Sequence, residues 1–396
     1  MNVLQINASD TGVGGASRIA LDLHYEYQKR GLDATFLSGT GLLSKHESFH
    51  KIPKQNFRKI VSRLFANDLE FFNTDYILQH DYYKNADIVH LHNIHGWYFN
   101  LKTLRKICAE KKVIWTLHDQ WALTPHCAHT SIEKSVDGLF PCNSKHAYPS
   151  LLWNNTKYLS KIKKDVYENS SFLVTTPSHW LLNRVHKSVL SSKQSVCIPN
   201  GINTDIFFPK DKKTVRKRLN LPQHKKIILF VAAAGLSNDF KGGDLIKELI
   251  ASDGDADNFY IVIGEKDHNL EQTYGNLFSY GPIVDQSELA DFYSASDVAL
   301  FPSQHEVFGL VAVESMACGT PVIVSNVGGM PETIISKEYG TILKERNIET
   351  IQDAIRILIE RSSGLDVEKM HADICAEFSI TVAADRYLSI YKDLLE

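Results

Sequence analysis

Glu306 and Glu314 close the two ends of the segment EVFGLVAVE, with no charge between them and Gly309 near the middle. The apolar run DVALFPS (297–303) comes just before. The order reads as a strand, a loop and a helix that starts near Phe308–Gly309. A helix start exposes unpaired amides and the positive end of the backbone dipole, so it receives anions. Glycine lets a ligand come close to the backbone. The amides of Gly309, Leu310 and Val311 therefore suit a diphosphate. A carboxylate accepts hydrogen bonds from a pair of hydroxyls, which suits Glu314 to a ribose and Glu306 to a sugar. A nucleotide sugar carries all three parts. The competing reading is a buried helix with two satisfied acids.

Phosphate beside two glutamates needs a cation. Lys241, in NDFKGG, stands next to Gly242 and Gly243 at another predicted helix start; as a bare loop lysine it would only be solvated. Gly14 and Gly15, in TGVGGAS, follow the first predicted strand, without a G-x-G-x-x-G pattern. His118 ends the run KVIWTLH and Asp119 follows it; packing for the histidine and loop capping for the aspartate are the alternatives. Residues 118–146 hold His118, His126, Cys127, His129, Cys142 and His146 without a CxxC pair. A long loop shaping an acceptor site is favoured there over tetrahedral zinc. The 6 cysteines, irregularly spaced, do not read as a disulfide framework, and most are expected as reduced core or loop thiols.

These residues need elements to hold them. VLQIN, a glycine turn, the helix ASRIALDLHYEYQKRG with Ile19, Leu23 and Tyr27 on one stripe, and DATFLSG open a parallel α/β sheet. ADIVHLH (86–92), KVIWTLH (112–118), SFLVTTPS (171–178) and SVCIPNG (195–201) continue it. Residues 202–226, charged and proline-punctuated, read as a linker and a helix. Strand–helix alternation then restarts with IILFVAAAG, FYIVIG, LFSYGP, DVALFPS and PVIVS. The last helix carries Tyr387, Ile390, Tyr391 and Leu394 on one face. In 51–66, Phe57, Ile60, Val61, Leu64 and Phe65 have helical spacing, with Lys54, Arg58, Lys59 and Arg63 around them. That stripe is expected to face a core; contact with anionic lipid is the alternative.

At 396 residues, two domains are the default. With 43% hydrophobic residues, 22% charged and a net charge of -3, no global field attracts nucleic acid. No run is long enough for a transmembrane helix and MNVLQINASD lacks signal-peptide features, so a cytoplasmic protein is expected.

The segment EVFGLVAVESMACGTPVIVSNVGGMPE resembles the E-x7-E region of the family 4 glycosyltransferases, retaining enzymes of the GT-B fold. The resemblance runs through PNGINTDIFFP and GPIVDQSELADFYSASDVALFPS and on to the C-terminus. GVGGAS and ADIVHLHN carry it more loosely in the first half, and WTLHDQWALT is similar to a subset acting in bacterial surface-polysaccharide assembly (capsule, O-antigen or exopolysaccharide). The resemblance implies two Rossmann-like domains facing across a cleft. Residues 1–200 would bind the acceptor, with a C-terminal helix (about 380–396) packing back on them, and 201–379 would bind the donor. It gives Glu306 the donor-sugar hydroxyls, Glu314 the ribose, and the diphosphate to the amides after Phe308 and Gly309, on Leu310 and Val311. Backbone near Ile283 would read the base, His118 would bond the sugar's 6-hydroxyl, and Gly14 and Gly15 would touch the diphosphate. Asp119 and Asn93 fall on the acceptor side.

The implied reaction is metal-independent transfer from a UDP- or GDP-sugar to a glycan or lipid-linked glycan at the membrane surface, without cofactor, by same-face attack. The family's arginine six residues before the lysine is replaced here by Gly235. A non-catalytic sugar-nucleotide binder and a GT-B epimerase are the alternatives on this fold, and a nicotinamide oxidoreductase is disfavoured by the missing glycine fingerprint.

Overall fold

The computed structural model describes residues 1–12, 14–41 and 47–396; Val13, inside the glycine turn, lies outside them. The chain divides into two compact units, residues 1–201 with 383–396, and residues 202–382.

The first unit holds a parallel sheet of β1 (Asn2–Ser9), β2 (Asp33–Thr40), β3 (Phe49–Lys51), β4 (Ile88–Leu91), β5 (Lys112–Thr116), β6 (Leu173–Thr176) and β7 (Ser195–Cys197). Their order is β3-β2-β1-β4-β5-β6-β7. Central strands such as β4 and β6 are buried along their whole length, as expected when both faces of a parallel sheet are covered. The helix Gly15–Lys29 buries Ile19, Ala20, Leu23 and Tyr27, the stripe read from the sequence. The helix Ile380–Leu395 ends in this unit. Its buried Tyr391 hydroxyl lies 3.0 Å from Tyr27 and 2.6 Å from His90 Nδ1, and Tyr387 meets Thr116 at 2.9 Å.

The second unit holds β8 (Lys226–Val231), β9 (Asn258–Ile263), β10 (Leu277–Tyr280), β11 (Val298–Phe301), β12 (Val322–Ser325) and β13 (Gly340–Leu343), in the order β10-β9-β8-β11-β12-β13. Alternate residues feed two cores: Ile227, Leu229, Ile261 and Ile263 on one side, Ile228, Phe230, Tyr260 and Val262 on the other.

Three expectations change. Residues 202–226 are no free linker. Ile202 and Phe207 lie in the core, and Arg216 and Lys212 pair with Asp297 at 2.6 and 2.8 Å. The expected core-facing stripe is largely exposed instead: in the helix Asn56–Leu64 and the residue after it, Phe57 is 78% exposed, Ile60 58%, Leu64 60% and Phe65 57%, with Val61 half-buried. Only Ser62 of that helix is buried, because its polar side meets the backbone at Asn67 and Phe71. Cys127 and Cys142, expected as thiols, are joined in a disulfide. Among the described residues, no group of His, Cys, Asp or Glu is arranged to hold a metal ion.

Candidate active site

In the second unit the loops after β8 and β11 are tied together. Gln304 N donates to Phe240 O at 2.8 Å and Gln304 Nε2 to Asp239 O at 3.0 Å. Gly242 has φ +93° and lies so close to Pro302 that a Cβ would come 2.5 Å from its carbonyl oxygen. Gly243 is equally tight against Leu236 O, at 2.3 Å. This packing brings the Lys241 ammonium into an ion pair with the Glu306 carboxylate.

Gly309, at φ +106°, caps the helix Leu310–Ala317. A Cβ there would stand 2.3 Å from Met330 Sδ, so the residue type is fixed by both conformation and space. The first two amides, of Leu310 and Val311, have no carbonyl inside the helix to bond, whereas Ala312 N donates to Gly309 O at 3.0 Å. Phe308 contributes no side chain to a ligand: it is buried at 3% exposure and packs edge-on to Phe378. Glu314 is 8% exposed and accepts a hydrogen bond from Tyr293 at 3.0 Å. Ile283 follows β10, half-buried against the core. Gly328, at φ +57°, would put a Cβ 1.6 Å from Glu306 O, and Gly329 N donates to that oxygen at 3.1 Å, so a second loop fixes the backbone of Glu306.

Gly235 also has a structural reason. Its φ is +47°, and a Cβ would meet Glu265 Cβ at 2.7 Å. An arginine at this place would require the turn to be rebuilt.

In the first unit, Gly14 has φ +84° and caps the helix that begins at Gly15. Asn93, His118 and Asp119 follow β4 and β5. Asn93 N donates to Asn7 Oδ1 at 3.2 Å. Asp119 accepts from His95 Nε2 at 2.7 Å and from Trp121 N at 2.8 Å. Burial works against its charge, yet His95 and these hydrogen bonds hold its pKa down to about 2. The His118 imidazole is pushed down to about 4 by burial, which Asp119 only partly offsets. Its Nε2 meets His92 Nδ1 at 3.0 Å.

Sequence reasoning missed several partners. His92 and His95 orient His118 and Asp119. Lys163 is wholly buried, lies 3.6 Å over the Trp121 ring and donates to Trp121 O and Thr124 O. Burial lowers its pKa to about 7. Tyr293 holds Glu314. The one available signal was His90 and His92, polar groups two apart in a strand that is otherwise apolar.

Two family models match the chain: Glycosyltransferase Family 4 over residues 13–206 and Glycosyl transferases group 1 over residues 211–373. The chain belongs to the family 4 glycosyltransferases. It is 25% identical to the putative colanic acid biosynthesis glycosyl transferase WcaC of Escherichia coli K12, with 100% of each chain covered. It is also 25% identical to the D-inositol 3-phosphate glycosyltransferase of Corynebacterium aurimucosum, over 72% of this chain and 69% of that one. Among solved structures, sucrose-phosphate synthase from Thermosynechococcus elongatus superposes with a TM-score of 0.71 at 20% identity, covering 100% and 99% of the two chains. Anabaena HepE in complex with UDP gives 0.69 at 16% identity, covering 99% and 100%. The fold of this glycosyltransferase is thus GT-B.

Proposed function

We propose that this glycosyltransferase moves a sugar, with retention, from a UDP- or GDP-sugar to a hydroxyl of a glycan or lipid-linked glycan in bacterial surface-polysaccharide synthesis. The observation that carries the reading is the meeting of Lys241, Glu306 and the glycine-capped helix start at Gly309, with Glu314 one turn further on. HepE, of the same fold, was solved with UDP-glucose, which supports a nucleotide sugar as co-substrate.

In this reading the first-turn amides of Leu310 and Val311, with Lys241, take the charge that builds on the leaving diphosphate. Glu314, held by Tyr293, grips the ribose, and Glu306 grips the sugar's hydroxyls. Backbone near Ile283 meets the base. The bond from the anomeric carbon to the phosphate oxygen breaks while the acceptor oxygen bonds that carbon on the same face. The acceptor's proton passes to the departing phosphate. No cofactor takes part, and the amides and Lys241 do the work a metal would do. Gly14 and Gly15 are read as diphosphate contacts, His118 as a contact of the sugar, and Asp119 and Asn93 as acceptor contacts.

The exposed face of the helix Asn56–Leu64 supports a cytoplasmic enzyme resting on the inner membrane surface; no described helix is long and apolar enough to cross a membrane. Trp153, 44% exposed, donates to Leu64 O at 2.9 Å and joins Leu152 to the same apolar patch. Lys54, Arg58, Lys59 and Arg63 are near enough in sequence to meet anionic headgroups. Sedimentation with phosphatidylglycerol vesicles should carry the protein down, and F57S with F65S should release it. Equal binding of both proteins would reject this part.

A thermal-shift panel of nucleotide sugars tests the donor site, with Glu314→Ala as control. The cognate donor should stabilise the protein by about 2–3 kcal/mol near a hundredfold excess over Kd, and the variant should lose that gain. If no UDP- or GDP-sugar shifts the melting temperature, the reading fails.

A further inference from the structure

Behind His118 runs a buried polar chain whose direction is fixed by a single backbone carbonyl. Gln5, His24 and His92 are all 0% exposed. Gln5 Nε2 lies 3.0 Å from Ala20 O, which can only accept, so that atom is the amide nitrogen. The same nitrogen lies 3.3 Å from His92 Nε2. An amide nitrogen only donates, so His92 Nε2 must offer its lone pair. A neutral imidazole has one N–H and one lone pair; the His92 hydrogen therefore sits on Nδ1. That atom is 3.0 Å from His118 Nε2, which in turn must accept. The His118 hydrogen is left on Nδ1.

The far end of the chain agrees. His24 Nδ1 lies 3.1 Å from Gln5 Oε1, an acceptor, and His24 Nε2 lies 3.3 Å from the Ser48 hydroxyl, which can donate to it. Every contact in the series thus has one donor and one acceptor. Burial keeps the imidazoles neutral, pushing His24 to about 4 and His92 well below the usual range. Among the described residues His92 is the hydrogen-bond partner of the His118 ring, and it takes Nε2 alone.

We propose that Gln5 and His92 are positioning residues that lock His118 in its Nδ1–H tautomer. The position then gives a hydrogen bond and takes none. It recognises an oxygen with a free lone pair on the sugar, a hydroxyl or a carboxylate, and discriminates against an ammonium substituent there. It also excludes His118 Nδ1 as a general base. The specificity claim rests on reading His118 as a contact of the transferred sugar; the tautomer itself does not.

The test is a long-range 1H–15N spectrum of the full chain with 15N-labelled histidine near neutral pH, the His118 signals being those lost in His118→Gln. The two nitrogens of a neutral ring resonate far apart, so the site of the hydrogen is read directly. The expected result is one tautomer for both His92 and His118, with hydrogen on Nδ1. Gln5→Met removes the anchoring amide while keeping the volume, and both rings should then shift toward the Nε2–H form. Hydrogen on Nε2 of His118 in the wild type, or a mixture of tautomers, overturns the proposal even if Gln5→Met fails to fold. So does a folded Gln5→Met whose His118 signals stay in place. No sugar enters this measurement. It can fail while the transferase reading stands, and a donor panel without any stabilising ligand would sink that reading and leave the tautomer untouched.

Discussion

Replacing Glu306 by glutamine should tighten the binding of free UDP while it damages sugar recognition. The Lys241 ammonium is paired with the Glu306 carboxylate, so a diphosphate must draw the lysine away or share it. The two side chains are 38% and 17% exposed, and pairs in such partly solvated places contribute ~0.2–1 kcal/mol. Removing the carboxylate frees the lysine by that amount. It also removes a like charge from the diphosphate's surroundings, a contribution of about the same size when screened by water. Together the gain is about 0.4–2 kcal/mol, or roughly 2- to 30-fold in Kd. Calorimetric titration of UDP into wild type, E306Q, K241M and the double variant isolates the coupling. E306Q should bind UDP more tightly, K241M more weakly, and in the K241M background E306Q should keep only the like-charge part of its gain. Half-molar salt should shrink all three differences. UDP-glucose should gain less than UDP from E306Q, because the sugar loses its carboxylate partner. A folded E306Q that binds UDP no better than wild type would refute the claim that this pair competes with phosphate.

Stability should fall steeply in mild acid. His24 and His118 titrate near 4 when folded, against a usual 6.5, so between those values the unfolded chain binds more protons and stability drops with pH. Each contributes a loss of about 3 kcal/mol by pH 4, with almost none above pH 7. Burial raises Asp22 to about 7, which offsets part of that loss. The check is therefore His24→Gln, whose urea midpoint should change less than the wild type's between pH 7 and 5; equal changes would contradict this. Gly309→Ala should cost more than Gly14→Ala. Both have positive φ, but only the first would drive a Cβ into Met330, at 2.3 Å, whereas nothing lies within 4 Å at Gly14. The difference should be about 1–3 kcal/mol in chemical denaturation, and equal losses would mean Met330 yields freely. Tyr293→Phe should weaken nucleoside diphosphate binding by roughly tenfold, since a bond to a charged group is worth about 1.5–3 kcal/mol and Glu314 would lose the hydroxyl that aims it. Unchanged UDP affinity in that variant would show the orientation comes from the helix alone.

How far the fold and site could be read depended on whether the cause was local. Runs such as VALF and VIVS, and the glycines at 14, 242 and 309, declare themselves within a few residues, because burial on both faces and positive φ leave direct marks on residue type. β3 and β13, short and only partly buried, leave almost none. The helix Asn56–Leu64 has the same periodicity whether its stripe meets a core or solvent. Only the contacts of its polar side decide. Residues 202–226 look like a linker because their charges are visible in the sequence and their partner, Asp297, is far along the chain. Tyr293 beneath Glu314, Lys163 over Trp121 and the amide of Gln5 behind His92 are likewise long-range pairings that no spacing rule announces.

The pairing of Lys241 with Glu306 shows how two motifs far apart in sequence come together. The two residues are 65 positions apart, yet each stands just beyond the carboxyl end of a strand, β8 and β11. Those strands are neighbours and parallel, so their trailing loops must emerge on the same edge of the sheet. β8 is also where the strand order reverses, with β9 and β10 running to one side and β11 to β13 to the other. Chains leaving such a point diverge, and the gap they leave is where parallel sheets take ligands. The first unit repeats the arrangement at β1 and β4. Gly14, Asn93 and, one strand further, His118 all follow strands that meet there. A short motif after a strand therefore carries positional information far beyond its length: once the sheet is parallel and the reversal is placed, the motifs that trail its central strands are brought together by topology.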